Sequence, residues 1–417
     1  MEQIKGSDAL REAIDQIVEE TPILDMHTHI FPPDFGDLLL WGIDELVTYH
    51  YLVAELFRKV RGVSPAGFWE MPKMEQADLI WRTLFVENSP VSEACRGVLT
   101  VLHALGIEDL RSKSLDDIRA VFADKNANDY IDEVMRKANV RTVVMTNDPF
   151  DEQERSVWER GFRPDPRFRA ALRIDALLAW SPDNGCRKLK SWGYDVAEDL
   201  TGQSAAEIRR FLGDWIARMR PVYLAASLPW DFTMPGDSST ARIMEACVLP
   251  VCRAHRLSMA LMIGVRRQLN PELRLAGDGV GKADLSSLEY LLRAYPKNKF
   301  LVTVLSRENQ HELCVLARKF SNLMVFGCWW FLNDPSIIEE MTRERFELLG
   351  LSFVPQHSDA RVLDQLIYKW AHFRKVLKPI LFDKYHDLLD TGWSPTREEI
   401  QRDVEGLFGR NFERFVE

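Results

Sequence analysis

Short apolar runs rich in β-branched residues recur along the chain, and segments with a helical spacing of apolar residues separate most of them. Continuous apolar strands that alternate with helices are typical of a parallel sheet, and eight such strands indicate a closed barrel. We therefore predict an α/β protein with the (β/α)8, or TIM-barrel, fold, formed by residues 1–417 as one domain. The predicted strands lie at residues 22–27, 141–146, 168–175, 221–226, 257–264, 299–305, 323–328 and 351–357.

The first two predicted strands lie much further apart along the chain than any other consecutive pair. The residues between them include the helical patterns Ser92–Leu105 and Leu115–Ala123, which predict a helical subdomain inserted at residues 31–140. This insertion leaves the carboxyl end of the first strand, where the active sites of TIM barrels lie, so we expect it to act as a lid. Residues 362–417 are predicted to be helical and to pack outside the barrel.

Composition narrows the classes of function. The hydrophobic and charged fractions, 46% and 28%, are ordinary for a soluble globular protein. The formal net charge of −10 argues against a nucleic-acid partner, although a few arginines in a pocket would still attract an anionic substrate. The six cysteines include no Cys-x-x-Cys pair, and no apolar run approaches the ~20 residues of a membrane span. We expect a cytoplasmic protein with reduced thiols and no membrane partner.

Two histidines at the end of the first predicted strand indicate a metal site. Side chains alternate along a strand, so His27 and His29 face the same way and both reach one ion. Imidazole suits zinc, iron, nickel or copper, and manganese less strongly. The best third ligand is Asp359, because it follows the last predicted strand, which neighbours the first when the barrel closes. His357 is a rival ligand, and Asp359 as a helix N-cap is the structural alternative.

The predicted metal site holds one divalent ion, Zn²⁺ or else Mn²⁺. Many barrel hydrolases with two metal ions have a lysine late in the fourth strand and histidines after the fifth and sixth strands. Residues 221–226 contain no lysine, and residues 257–264 and 299–305 contain no histidine. This pattern favours a single ion with three protein ligands and open coordination positions.

Several motifs, collinear over almost the whole chain, resemble those of the uronate isomerases (glucuronate isomerases), a branch of the amidohydrolase superfamily. At two places the sequence differs from the family pattern: Met262 stands where the family has a histidine, and residues 227–231 replace its Ser-Asp-His-Gly. The motifs that carry the resemblance are Asp25–His29, Tyr49-His50-Tyr51, Thr146–Pro149, Arg173-Ile174-Asp175, Phe326–Phe331 followed by Asn333-Asp334, Gly350–Val354, Ser358–Arg361 and His372–Arg374.

The resemblance implies an aldose–ketose isomerase that acts on a hexuronate such as glucuronate or galacturonate. Such an enzyme moves a proton between C2 and C1 of the sugar acid. By resemblance, His50, Tyr51 and Asp359 transfer the proton, and the ion and Arg361 hold the hydroxyl and carbonyl oxygens of the sugar. The resemblance also implies that Arg173 clamps the substrate carboxylate. Trp329 or Trp330 would form an apolar wall for the sugar.

Other interpretations stay open at this stage. His50 would be a surface histidine of the insertion, or Arg173 an exposed ion-pair partner; Arg266 and Arg267 are weaker candidates for the carboxylate clamp. The segment from His27 to Pro33 also resembles the start of metal-dependent decarboxylases, so a hydrolase or decarboxylase is the second functional hypothesis. A barrel that binds sugar acids without catalysis is the third. We expect a homo-oligomer.

Overall fold

A computed structural model of the chain describes residues 3–163 and 165–417. Its strands follow the predicted positions closely, and the parallel sheet runs in the order β1-β2-β3-β4-β5-β7-β8, with β6 antiparallel to β5. The strands are β1 (Ile23–Thr28), β2 (Val140–Asn147), β3 (Phe168–Arg173), β4 (Tyr223–Pro229), β5 (Ser258–Arg266), β6 (Gly279–Val280), β7 (Phe300–Val304) and β8 (Leu323–Val325). The predicted α/β-barrel class is confirmed.

An extended segment at residues 353–360, which we call the closing segment, completes the barrel between β8 and β1. On one side, the backbone N–H of Val354 donates to the Val325 carbonyl at 3.0 Å. On the other side, the N–H of Asp359 donates to the His27 carbonyl at 3.2 Å, and the N–H of His29 donates to the Ala360 carbonyl at 2.7 Å. The last predicted strand is therefore in the right place.

The closing segment is nevertheless not the regular strand predicted at 351–357. Its ladder is reduced to one bridge, between Phe326 and Val354. Pro355 has no N–H to donate to a ladder, and Asp359 has a left-handed φ of 53°, which ends extended pairing.

Helices surround the sheet and fill the long connection after β1. No helix among the residues that the structure describes is long and apolar enough to cross a bilayer. The α-helices are α1 (Ser7–Glu20), α2 (Ile43–Val47), α3 (His50–Lys59), α4 (Pro65–Glu70), α5 (Lys73–Trp81), α6 (Glu93–Ala104), α7 (Asp116–Ala123), α8 (Ala127–Ala138), α9 (Glu152–Glu159), α10 (Asp175–Leu178), α11 (Arg187–Ser191), α12 (Ser204–Met219), α13 (Ser239–Ile243), α14 (Leu249–His255), α15 (Ser286–Ala294), α16 (Gln310–Ala317), α17 (Pro335–Leu349), α18 (Gln365–Asp390), α19 (Arg397–Glu405) and α20 (Asn411–Val416). Short 3₁₀ or π segments lie at residues 33–38, 82–86, 182–186, 244–248, 271–277, 307–309, 330–332 and 406–410.

Helices α2–α8 lie within the predicted insertion, which packs against α18. Gly97 of α6 lies against the ring of Tyr368 on α18. The buried carboxylate of Asp364, just before α18, accepts hydrogen bonds from the Gly42 N–H at 2.9 Å and from the Tyr130 hydroxyl. The insertion is thus tied to the residues that follow the closing segment.

We predicted that the carboxyl-terminal tail packs outside the barrel, but part of it lies inside. Helix α18 does pack on the outside, against α1. Phe412 of α20, however, is fully buried among residues of the barrel strands, with its ring centroid 5.9 Å from that of Tyr223. Aromatic burial of this kind removes a large apolar area from water, so α20 completes the barrel core and does not merely cover it.

We expect Gly97→Ala to destabilise the protein. A Cβ atom at Gly97 would lie 2.7 Å from two ring carbons of Tyr368, which is too close for an alkyl contact. Overpacking of this kind costs about 1–3 kcal/mol, more than the gain of up to ~1 kcal/mol in helix propensity. The free energy of unfolding in denaturant measures the effect.

Gly213→Ala is the matched control, because Gly213 also lies inside a helix and a Cβ there meets nothing within 4 Å. This variant should be as stable as the original or more stable by up to ~1 kcal/mol. Equal effects at the two glycines would contradict the proposed packing of α6 on α18.

Candidate functional site

His27, His29 and Asp359 meet at the carboxyl end of the barrel. The Nε2 atoms of both histidines lie 3.5 Å from Oδ1 of Asp359, and one ligand atom from each residue lies within 4.8 Å of the others. Oδ1 of Asp359 and Nε2 of His27 are buried and have no hydrogen-bond partner among the described residues. Two nitrogens and one oxygen in this arrangement suit a single divalent transition-metal ion.

A β-bulge in β1 directs the histidines into the barrel. Three residue steps of β1, from Asp25 to Thr28, span only two steps of β2, from Val143 to Met145. The extra residue breaks the strict alternation of side chains. Asp25 therefore reaches outwards to Trp370 of α18, at 3.0 Å, whereas His27 faces the site.

The structure bears on the two alternatives that the sequence left open for the third ligand. Helix α18 begins at Gln365 with Asp364 in the N-cap position, so the N-cap interpretation of Asp359 is wrong. His357 is fully buried, and its ring centroid lies 5.2 Å from that of His27. Within the part of the chain that the structure describes, however, His357 does not join the group of converging ligand atoms.

The charges at the site match those of a metal-binding group. Burial raises the pKa of the Asp359 carboxyl, but a proton that His27 or His29 carries on Nε2 outweighs burial and lowers that pKa well below its usual range. Burial lowers the pKa of His29 well below 6.5, and the nearby Arg361 guanidinium lowers it further. Neutral imidazole and ionised carboxylate are the forms that bind metal.

His50 and Tyr51 lie beside this group, at the start of α3. His50 is not a surface histidine: its Nε2 atom is buried without a partner in the described chain, and burial together with Arg361 lowers its pKa to about 3. Burial, the neighbouring Tyr49 and the charge of Asp359 raise the pKa of Tyr51 well above 10. At neutral pH the site therefore presents a neutral imidazole next to a protonated phenol.

Tyr49 is a site residue whose role the sequence did not indicate. Its ring centroid lies 4.1 Å from that of His50 and 4.9 Å from that of Tyr51. Burial raises the pKa of its hydroxyl, the charge of Asp359 raises it further, and the charge of Arg361 opposes the rise. Its place directly before the His-Tyr pair was the available signal.

Arg173 is held at the end of β3 by Asp175. Its Nε and Nη2 atoms donate to Oδ2 of Asp175 at 2.8 and 2.5 Å, and Oδ1 of Asp175 accepts from the Ser227 N–H at 2.8 Å. The side chain is only 20% exposed, and its charge contributes to the lowered pKa of His29. Arg173 is therefore not an exposed ion-pair partner, and both hydrogens of Nη1 and the second hydrogen of Nη2 are left for a ligand.

The two adjacent tryptophans occupy different positions. Trp330 has a left-handed φ of 51°, and its ring centroid lies 5.9 Å from that of His50. The indole N–H of Trp330 is buried and finds no partner within the described residues. Both tryptophans belong to the core inside the barrel, with Trp329 3% and Trp330 7% exposed, but the ring that lies against His50 is that of Trp330. Trp330 is accordingly the better candidate for the apolar wall.

A buried acidic group lies at the end of β2, close to Arg173. Burial raises the pKa of the Glu154 carboxyl from 4.5 to about 8, against the hydrogen bonds from Asn147 Nδ2 at 3.1 Å and from the Asp148 N–H at 3.0 Å. Burial also raises the pKa of Asp148 to about 6, while Arg173 opposes that rise. The charge of this group therefore changes between mildly acidic and mildly alkaline pH.

Comparison with solved structures identifies close and distant relatives. A uronate isomerase from Bacillus halodurans is 56% identical, covers 99% of this chain and 97% of its own, and superposes with a TM-score of 0.97. A uronate isomerase from Thermotoga maritima (17% identity, all of both chains, TM-score 0.78) and a glucuronate isomerase from Caulobacter crescentus (16%, 98% and 94%, TM-score 0.72) share the fold. The chain matches no protein-family model and no curated protein sequence.

We expect Glu154→Gln to change how stability depends on pH. Because folding raises the pKa of Glu154, its contribution to stability is fully present below pH ~4.5 and is lost as the pH rises towards about 8. A neutral glutamine removes that loss. Relative to the original protein, the variant should gain stability from pH 5 to pH 8, by at most a few kcal/mol at ~1.4 kcal/mol per pKa unit.

Thermal unfolding across this pH range measures the difference. Glu152→Gln, at an exposed position of the same helix, is the control and should show no such trend. The same pH dependence in both variants would contradict the raised pKa of Glu154.

Proposed function

The chain belongs to the uronate isomerase family, and on that premise we propose that it converts a hexuronate aldose into the corresponding ketose. The observation that carries the proposal is the meeting of three groups in one buried site. These are the His27, His29 and Asp359 cluster, the His50-Tyr51 pair, and the Arg361 cation whose charge acts on His29 and His50. Glucuronate and galacturonate are the proposed substrate class.

The reaction requires a base for the proton on C2, an acid near the carbonyl oxygen, and positive charge to stabilise the developing oxyanion. His27, His29 and Asp359 would hold one divalent ion, and we propose Zn²⁺ or else Mn²⁺. Such an ion, when bound, supplies positive charge next to a substrate oxygen. The unpaired Nε2 of His27 and Oδ1 of Asp359 support its binding here.

We assign proton transfer to His50, Tyr51 and Asp359. The imidazole of His50 is neutral and its Nε2 atom has no partner in the described residues, so that atom is open to a proton from the substrate. The charge of Asp359 favours the protonated ring, against burial and Arg361. The phenol of Tyr51 remains protonated and can donate. Asp359 is ionised and can accept. Arg361 would hold the hydroxyl and carbonyl oxygens of the sugar.

Arg173 and Trp330 are proposed to bind the rest of the substrate. A guanidinium group pairs with a carboxylate through planar, charge-assisted hydrogen bonds. Arg173 keeps Nη1 for this purpose while Asp175 fixes its orientation. Trp330 would face the apolar side of the sugar, with Trp329 behind it. The proposed partner is thus a small sugar acid, and assembly into a homo-oligomer remains a prediction.

The hydrolase or decarboxylase hypothesis is not favoured, since the relatives named above are isomerases. Closure of the insertion over the site, as a lid, stays a prediction. The position of His50 at the start of α3, next to Trp330, supports a contribution of the insertion to the site.

The decisive experiment incubates protein loaded with Zn²⁺ or Mn²⁺ with glucuronate and with galacturonate. We expect a ketose product, and in deuterated water we expect at least partial label at C1. His50→Asn should lower kcat by about 10²–10⁴-fold, because it removes a proton-transfer group, while the bound metal stays the same.

His103→Asn is the control, since His103 is exposed on α6 of the same insertion. It should leave turnover unchanged. Absence of ketose from every hexuronate, with metal bound and the fold intact, would overturn the proposed reaction.

Arg173→Met tests the carboxylate clamp. Loss of a hydrogen bond to a charged group costs about 1.5–3 kcal/mol, so the apparent KM should rise by roughly tenfold or more. Arg167→Met is the control: Arg167 precedes the same strand but forms exposed ion pairs with Asp132 and Asp165. If both variants keep the original KM, the clamp lies elsewhere, with Arg266 or Arg361 as the next candidates.

A further inference from the structure

We propose that Tyr223 and Thr146 are positioning residues that fix the ring protons of His27 and His29, so that both Nε2 atoms enter the metal site as lone pairs. The inference rests on the metal site of the proposed function. Neither residue belongs to the ligand set, and they come from two other strands, β4 and β2.

The hydroxyl of Tyr223 leaves His27 one arrangement. It donates to the Met26 carbonyl at 2.6 Å and lies 3.3 Å from Nδ1 of His27. A phenol has one hydrogen. Because that hydrogen is used on the carbonyl, the oxygen can only accept from the imidazole, and Nδ1 of His27 carries the proton. Tyr223 is fully buried, so solvent does not compete for either contact.

Thr146 repeats the arrangement at His29. Its hydroxyl donates to the Thr28 carbonyl at 3.0 Å and lies 3.0 Å from Nδ1 of His29. The same count of hydrogens places the ring proton of His29 on Nδ1. Both accepting carbonyls belong to β1, which contains His27 and ends directly before His29. Each hydroxyl is therefore oriented by the backbone beside the ring that it serves.

The consequence is a site with three acceptors and no hydrogen between them. Both Nε2 atoms are unprotonated, and both face Oδ1 of Asp359 at 3.5 Å. Lone pairs that converge in this way repel each other unless a cation lies among them. Without the hydroxyl, the ring proton can move to Nε2 and be donated to Asp359, which competes directly with a metal ion. Loss of such an outer contact typically weakens metal binding by about 10–100-fold.

The test compares Tyr223→Phe and Thr146→Val with the full-length protein. Dissociation constants for Zn²⁺ and for Mn²⁺ are measured by competition with a chromogenic chelator, without substrate. Nitrogen chemical shifts of ¹⁵N-histidine-labelled, metal-free protein report which ring nitrogen carries the proton. We expect about 10–100-fold weaker binding in each variant and a shift of the His27 or His29 proton towards Nε2. Thr146→Ser keeps a hydroxyl and should restore both properties.

Matched controls separate this role from a general loss of buried hydroxyls. Thr303→Val removes a buried hydroxyl on β7 that has no partner among the described residues, and Tyr385→Phe removes a hydrogen bond to Asp403 far from the site. Neither should change metal affinity or ring protons. A variant that unfolds is distinguished by thermal unfolding, and Thr146→Ser then carries the test, since it must bind metal more tightly than Thr146→Val.

Two results would overturn the proposal. The first is that Tyr223→Phe and Thr146→Val both keep the metal affinity and the ring protonation of the original protein. The other is an original protein that binds neither Zn²⁺ nor Mn²⁺ at His27 and His29. Failure of the isomerase assay is a separate result. If the variants lose metal as expected but no hexuronate reacts, the positioning role stands and the proposed reaction falls.

Discussion

The carboxylate of Asp25 holds the closing segment against the first strand of the barrel. It accepts a hydrogen bond from the Ser358 N–H at 3.1 Å and another from the indole of Trp370 at 3.0 Å. The carboxyl group is fully buried, and burial raises its pKa to about 6. The hydrogen bonds from Ser358 and Trp370 offset part of the free-energy cost of removing the carboxylate from water. Because Asp359 directly follows Ser358, the same contact sets where this proposed metal ligand stands relative to His27.

Polar side chains at the carboxyl end of the barrel are held by one another and by the backbone. Asn333 shows this well: its amide donates to the carbonyls of His357 and Ser358, at 3.3 and 3.1 Å, while its oxygen accepts from Gln356 at 2.9 Å. The closing segment thus has a left-handed residue, Asp359, fixed from both sides. Backbone strain of this kind persists where surrounding contacts determine it, and it is common at functional sites.

Helix α18 connects the barrel to the insertion. Lys369, only 4% exposed, forms an ion pair with Glu93 of α6 at 2.9 Å and donates to the Asn333 carbonyl at 3.3 Å. Its ammonium also lies 5.6 Å from the ring centroid of Tyr51. One buried cation therefore touches the insertion, the support of the closing segment and the proposed proton-transfer pair. These three parts are held in fixed relation at this edge of the site.

The sequence by itself determined the barrel class, the positions of seven of the eight predicted strands and the family. Apolar runs and family motifs are local patterns, so they can be recognised in the linear sequence. His27, His29 and Asp359 could be grouped from the sequence because strand ends and barrel closure follow simple rules of connection. The sequence could not show that His50 is buried or that Asp175 orients Arg173.

Only the tertiary structure decided the details on which the chemistry depends. The bulge in β1 separates Asp25 from His27, although strict alternation would place them on one face. Phe412 enters the barrel, and Tyr223 and Thr146 reach the histidines from other strands. Such contacts join residues far apart in the chain. They depend on the register between strands and on the packing of side chains from distant residues. A local pattern of apolar and polar positions does not encode either property.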